Sequence, residues 1–219
     1  MTETDHPVVS TPGKPTLYGA VASAVHRLQS GVTGTYDSPI TRAQLARLRQ
    51  AAGRTPEKDP LAWAVVLEQI LPELDSSWNR DEPSTTEVAA YTALTLYALH
   101  QRSQSQPMHV KSNRSLGYAV AQLEKTTKSG STKSRLDALV TASTQNATTY
   151  HLRSIVNMLN SHDIPLDYGR LAEDLRRLWN NRYPHDKEGV ILRWGRDYAR
   201  GLWGGSASHQ SPTDNDLNS

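Results

Sequence analysis

The sequence contains no cysteine, which excludes a disulfide framework, a thiolate nucleophile and any cysteine-ligated zinc or iron–sulfur site. That absence fits a reducing cytoplasm without requiring one, because many secreted proteins also lack cysteine. No window approaches the ~18 consecutive apolar residues of a membrane span. The acidic, proline-broken start MTETDHPVVSTPGKP does not read as a secretory signal. A cytoplasmic protein with no membrane partner is therefore expected. There is no H-E-x-x-H, no Glu-x-x-His pair within a predicted helix to set two ligands on one face, and no internal repeat. Net charge is also scarce: 24 Lys and Arg against 22 Asp and Glu leave +2 over 219 residues. With 37% hydrophobic residues and a mean hydropathy of −0.61, the chain holds enough for one good-sized core or two small ones, diluted by polar segments.

What is present is segregated. Residues 57–90 carry eight acids against two bases, a net of −6, whereas residues 101–135 carry seven bases against Glu124, a net of +6. The second segment produces a local positive field although the molecule is near neutral. Its Ser, Thr, Asn and Gly neighbours are polar donors that suit phosphate oxygens.

Apolar spacing predicts helices throughout. Leu17, Val21, Val25 and Leu28 step by three and four with Gly31 as a stop, and a helix from about Thr41 carries Leu45 and Leu48. Asp59 and Pro60 start a third, with the stripe Trp63, Val66, Leu67, Ile70 and Leu71. Ser84-Thr85-Thr86-Glu87 is a capping box, and VAAYTALTLYALH after it is apolar nearly all round, the mark of a central buried helix. Residues 101–112 are polar, contain Pro107 and read as a linker. Beyond them come stripes at Leu116/Val120/Leu123, Leu136/Leu139/Val140, Leu152/Ile155/Val156/Leu159, Leu171/Leu175/Leu178/Trp179 with Asp167 as N-cap, and Ile191/Trp194/Tyr198. No sustained period-two alternation occurs. The expectation is an all-α chain of two small helical bundles, residues 16–105 and 106–203, between disordered segments 1–15 and 204–219.

Catalytic signals are weak. His162-Asp163 and His185-Asp186 suggest the His-Asp pairs of helical metal phosphohydrolases, but both sit at element ends, where helix termination and capping explain them; Asp186 reads as a cap of the last helix. Gly130-Ser131-Thr132-Lys133-Ser134 lacks the first glycine of a phosphate loop and follows no strand. No enzyme activity, cofactor or metal is expected. Basic stripes are the better lead. Arg193, Arg196 and Arg200 fall within about 60° of one another on the last helix, opposite its apolar stripe. Arg42 and Arg49 share a stripe seven residues apart. Such faces, added to the +6 segment, point to a polyanion held through its phosphates without base readout.

An ordered set of segments carries a family resemblance: Thr41-Arg42-Ala43-Gln44-Leu45-Ala46-Arg47-Leu48-Arg49, then Arg114-Ser115-Leu116-Gly117, Lys133-Ser134-Arg135-Leu136-Asp137-Ala138-Leu139, His151-Leu152-Arg153, Ile164-Pro165-Leu166-Asp167-Tyr168 and Leu192-Arg193-Trp194-Gly195-Arg196-Asp197-Tyr198. Across roughly residues 17–200 the chain resembles CasB, the small subunit of the type I-E CRISPR surveillance complex Cascade. The resemblance implies a non-enzymatic, all-helical subunit. Two copies associate head to tail beside the large subunit and the backbone subunits that hold the CRISPR RNA, and they contact target and displaced DNA strands to stabilise the R-loop in antiviral defence. Exchanging duplex for hybrid is nearly balanced, so modest backbone contacts can tip it. Carried over residue by residue, Arg47 and Arg49 match the N-terminal basic helix, Lys133 and Arg135 the basic pair before Leu136, and Arg153 the arginine of the His-Leu-Arg helix. Arg42 joins them from its stripe, and Lys111, Arg114, Lys125 and Lys128 from charge pattern alone. The chain departs from the family pattern at Ser154, where a second arginine is common, and in a long polar loop over 128–134. A scaffold subunit without DNA contact is the competing reading.

Overall fold

The computed structural model describes residues 16–34, 38–70, 81–180 and 182–203. Within them lie α1 (Leu17–Thr33), α2 (Pro39–Ala51), α3 (Pro60–Ile70), α4 (Thr85–His100), α5 (Leu116–Thr127), α6 (Ser131–Val140), α7 (Gln145–Asn160), α8 (Tyr168–Leu178) and α9 (Pro184–Trp203), with a 3₁₀ turn at Pro56–Lys58. The described residues form no strand beyond an isolated bridge between His109 and Leu166, so the fold is all-α as expected. The terminal segments 1–15 and 204–219 and the stripe residue Leu71 fall outside the described residues.

Helix starts follow side-chain chemistry. An N-cap oxygen satisfies an amide that the first helical turn leaves unpaired, worth about 1 kcal/mol each. The Asp59 carboxylate accepts from Ala62 N–H at 3.1 Å, and the Ser84/Glu87 box closes reciprocally at 3.3 and 2.7 Å. Ser38 caps α2 through Thr41 N–H at 3.3 Å, which moves its start two residues ahead of the expected Thr41. Other boundaries also differ from the sequence reading. α1 continues past Gly31 to Thr33, because Val32 still packs on the core and Gly34 N–H closes on Ser30 at 3.1 Å. Asp186 lies inside the first turn of α9 instead of capping it. The polar loop 128–134 shrinks to 128–130: Lys128 takes a left-handed conformation (φ 51°) as C-cap of α5, and α6 starts at Ser131.

α4 is buried from Ala89 to His100 and is surrounded by α1, α2, α3, α7 and α8. α5 packs along α9 with backbone almost on backbone. A Cβ at Gly117 would collide with the Trp194 carbonyl, so glycine sets the approach of these two helices. Most of the buried apolar side chains form one cluster that runs from Leu17 to Trp194.

Residues 101–112 are irregular, as read from the sequence, but they are not a loose connection. Gln101, Met108 and His109 are buried. Buried backbone polar groups need partners, and glutamine and asparagine side chains supply them. Gln101 Oε1 accepts from Met108 N–H (3.0 Å), Gln29 Oε1 from His109 N–H (2.9 Å), and Asn160 Nδ2 donates to the carbonyls of His100 (2.7 Å) and Arg102 (3.1 Å). Asp167 does the same for the next stretch. Besides capping α8 through Arg170 N–H, it accepts from Ser112 N–H (3.1 Å), Asn113 N–H (2.8 Å) and the Tyr18 hydroxyl (3.1 Å).

Candidate nucleic-acid interface

Ten basic residues were expected to form the site, and the fold sorts them into three groups. The first gathers around α7. Arg153 is exposed and extends to the turn that follows α2, where Gly53 has φ +91°. A Cβ at Gly53 would lie 2.6 Å from Arg153 Nη1 and 2.8 Å from its Cδ, so the guanidinium rests on bare backbone. Arg135 reaches from α6 to the neighbouring residue, its Nη1 donating to Ser154 Oγ at 2.6 Å. Ser154, which stands where a second arginine is common in the family, therefore anchors an arginine supplied by another helix. Arg49, half-buried, occupies the last turn of α2 just before Gly53. Arg42 and Arg47 are exposed on the same helix. Two residues apart on a helix means about 160° around it, so Arg47 lies on a different side from Arg49 and the two do not act as one face.

The second group surrounds the α5–α6 junction: Lys125 in the last turn of α5, Lys128 as its cap, and Lys133, all exposed. Lys133 and Arg135 turn to different partners. Lys133 Nζ is bound to Asp137 at 2.7 Å, which raises its pKa, and it lies near Tyr198 of α9, whereas Arg135 points to α7. The third group, Lys111 and Arg114, flanks the stretch held by Asp167. Arg114 stacks on the Tyr118 ring with Cζ 4.0 Å from its centroid. It stands at the opposite end of α5 from Lys125 and Lys128, ~18 Å away for a twelve-residue helix.

The basic stripe expected on α9 is corrected at its first member. Arg193 turns inward to Asp174 of α8 (Nη2–Oδ1 2.5 Å), a carboxylate with no exposed surface. Trp194 Nε1 donates to the other oxygen at 2.6 Å, and Arg170 Nε lies 3.3 Å away. Burial pushes the Asp174 pKa above its ordinary value, against the lowering by Arg193, Trp194 and Arg170. Arg196 and Arg200 are exposed, and Arg200 sits 3.6 Å from Asp197.

Other cations are similarly consumed: Arg54 by Asp59 (3.6 Å), and Arg176 and Arg177 by Glu173 (2.6 and 3.3 Å). By contrast, Arg135 and Arg153 have no carboxylate partner among the described residues. Two exposed guanidiniums, Arg153 on α7 and Arg135 reaching α7 from α6, offer donors of the kind that suit an anion.

The His-Asp pairs do not form a shared centre. His162 is exposed at the end of α7 with Nδ1 on its own Met158 carbonyl (2.9 Å), and His185 is exposed on α9 with Nδ1 3.5 Å from Glu188. Among the described residues no group of three or more His, Asp and Glu side chains is placed to hold a metal ion. None of their helices is long and apolar enough to cross a membrane.

The profile of CRISPR-associated protein Cse2 matches residues 44–198, a span that runs from within α2 into α9. The crystal structure of CasB from Thermobifida fusca is similar at a TM-score of 0.67 and 31% identity, covering 83% of this chain and 97% of that one. The crystal structure of M. ruber CasB is similar at 0.59 and 25%, covering 84% and 95%. A chain of a CRISPR RNA-guided surveillance complex shares the fold at 0.62 and 23%, covering 87% and 98%. No curated protein matches the sequence significantly. The chain belongs to the CRISPR-associated Cse2 (CasB) family.

Proposed function

We propose that this chain is the non-enzymatic small subunit of a cytoplasmic CRISPR surveillance complex and that its α6–α7 face, with the turn after α2, holds DNA strands through their phosphates. The observation that carries this reading is the pair Arg135 and Arg153, seated on Ser154 and Gly53 with their charge uncompensated. Membership of the Cse2 family and the shared fold with a surveillance-complex chain support the setting. In that setting the subunit acts beside a second copy of itself in head-to-tail order. The large and backbone subunits and the CRISPR RNA supply sequence recognition, and the basic face holds target and displaced strands so that the R-loop persists. Phosphate contacts need no base readout, which suits a part that must serve every guide.

The test is R-loop formation by the reconstituted complex carrying Arg135→Glu and Arg153→Glu, across a salt series. If each arginine neutralises one single-strand phosphate, the slope of log affinity against log salt becomes shallower by about 1.4, at roughly 0.7 per phosphate. R-loop stability should fall while size-exclusion chromatography shows intact assembly. An intact complex with unchanged R-loops and slope would show the face to be solvated surface and the chain a spacer.

A further inference from the structure

The aromatic side chains of this fold are mostly used as core. Tyr91, Tyr97, Tyr168 and Trp194 are each 1% exposed or less. Tyr150 on α7 is the opposite case at 69%. Among the described residues its ring meets one other ring, that of the adjacent His151, at 5.4 Å and 78°. Its position is specific: Arg153 and Ser154 follow it by three and four residues. On a helix that spacing puts their Cβ atoms about 5–6 Å away on the same side. Tyr150 therefore shares the face on which Arg153 crosses to Gly53 and Arg135 reaches Ser154. Tyr183 and Trp203 are also exposed, but neither has uncompensated arginines brought to it from a second helix. An exposed ring on the helix face that carries Arg153 and Ser154, the seat of Arg135, suits a ligand that is flat and aromatic at one end and anionic at the other.

We infer that Tyr150 is a base-stacking subsite for an unpaired nucleotide whose phosphates lie on Arg153 and Arg135. This rests on the nucleic-acid reading above and sharpens it: the ligand is a single strand, since bases inside a duplex already have both faces covered by their neighbours. Stacking is tolerant of sequence because every base has a π-face, and flanking arginines add charge and cation–π attraction. The subsite gives the face a preference for unpaired over paired strands without any base code.

Fluorescence anisotropy of the full chain separates the two ideas, using a mixed-base single-stranded DNA oligonucleotide and an abasic oligonucleotide of the same length over a salt series. Tyr150→Ala should weaken binding to the base-carrying strand by about 5- to 150-fold, the range for loss of one stacked base. It should leave the salt slope unchanged, because no phosphate contact is lost. Tyr150→Trp should retain affinity, and on the abasic strand wild type and Tyr150→Ala should bind equally. Arg153→Gln should instead flatten the slope by about 0.7 on both strands. If wild type binds with a salt-dependent affinity and Tyr150→Ala matches it on the base-carrying strand, the stacking subsite is refuted and the phosphate-binding face stands. If wild type binds neither strand, both fall together.

Discussion

Removing Asp174 should be among the most damaging single changes to this fold. The carboxylate is fully buried between α8 and α9, where it accepts from Arg193 at 2.5 Å and from Trp194 Nε1 at 2.6 Å, with Arg170 Nε at 3.3 Å. Asp174→Ala leaves two guanidiniums facing each other across a buried gap and strands the Trp194 N–H in a site that is 1% exposed. Breaking a buried pair from one side costs about 3–5 kcal/mol, most of it the unpaired group left behind. At about 2–4 °C per kcal/mol for a chain of this size, the melting temperature should drop by roughly 6–20 °C. The raised pKa of Asp174 adds a second expectation. Desolvation outweighs the attraction of its partners, so replacing the network with apolar groups should cost less than halving it. Asp174→Leu combined with Arg193→Met should therefore recover a substantial part of the loss. The sign in pH is also fixed: a carboxyl with a raised folded pKa destabilises when ionised, so its penalty lessens as pH falls through that value toward its ordinary one. Differential scanning calorimetry measures all of this. A melting temperature within about 3 °C of wild type for Asp174→Ala would show that solvent reaches the site, and the argument would fail.

Gly53→Ala should strain a φ of +91° by about 1–2 kcal/mol and push Arg153 off its seat, so it should weaken single-stranded DNA binding without altering any charge; titration of a folded variant by anisotropy checks this. Lys133→Gln should lower the salt slope less than Arg135→Gln, because Asp137 already compensates Lys133 at 2.7 Å. His100 is buried and desolvation lowers its pKa to about 4. Between its ordinary 6.5 and that value the unfolded chain takes a proton that the folded chain refuses, so stability should fall on the order of 3 kcal/mol as pH drops across this window, and urea titrations of wild type and His100→Gln compared over it should differ in slope. We also propose that 16–105 and 106–203 unfold together, because the His100–Tyr168 contact (2.9 Å) and the apolar cluster span the division; two separate calorimetric transitions would show two independent domains.

Helix positions were legible in the sequence because the signals are local. A stripe such as Leu152, Ile155, Val156 and Leu159 records its own burial, and caps such as Asp59, Ser84 and Asp167 record the amides they satisfy. Asp167 already shows the limit: the cap could be read, but not its hold on Tyr18, Ser112 and Asn113, which come from distant parts of the chain. The polar run 101–112 looked like a linker for the same reason. Its burial depends on Gln29 and Asn160, 80 and 60 residues from the groups they serve.

Charge is the property that sequence reads least well, because a count of cations ignores where their counterions fold. Arg193 belonged by periodicity to an exposed stripe, yet α8 brings Asp174 against it. Lys133 and Arg135 looked like one basic pair until α6 turned one to Asp137 and the other to Ser154. The +6 of residues 101–135 is therefore an incomplete measure of free charge, since Asp137 from outside the segment pairs Lys133. The proposed face joins Arg135 from that segment with Arg153 from outside it. Gly53 and Ser154 carry no charge, and no charge pattern could have selected them, but they decide where two of the remaining charges stand. A polyanion responds to such placed guanidiniums, so mutagenesis of the proposed interface is best directed at the seats of Arg135 and Arg153 as well as at the arginines themselves.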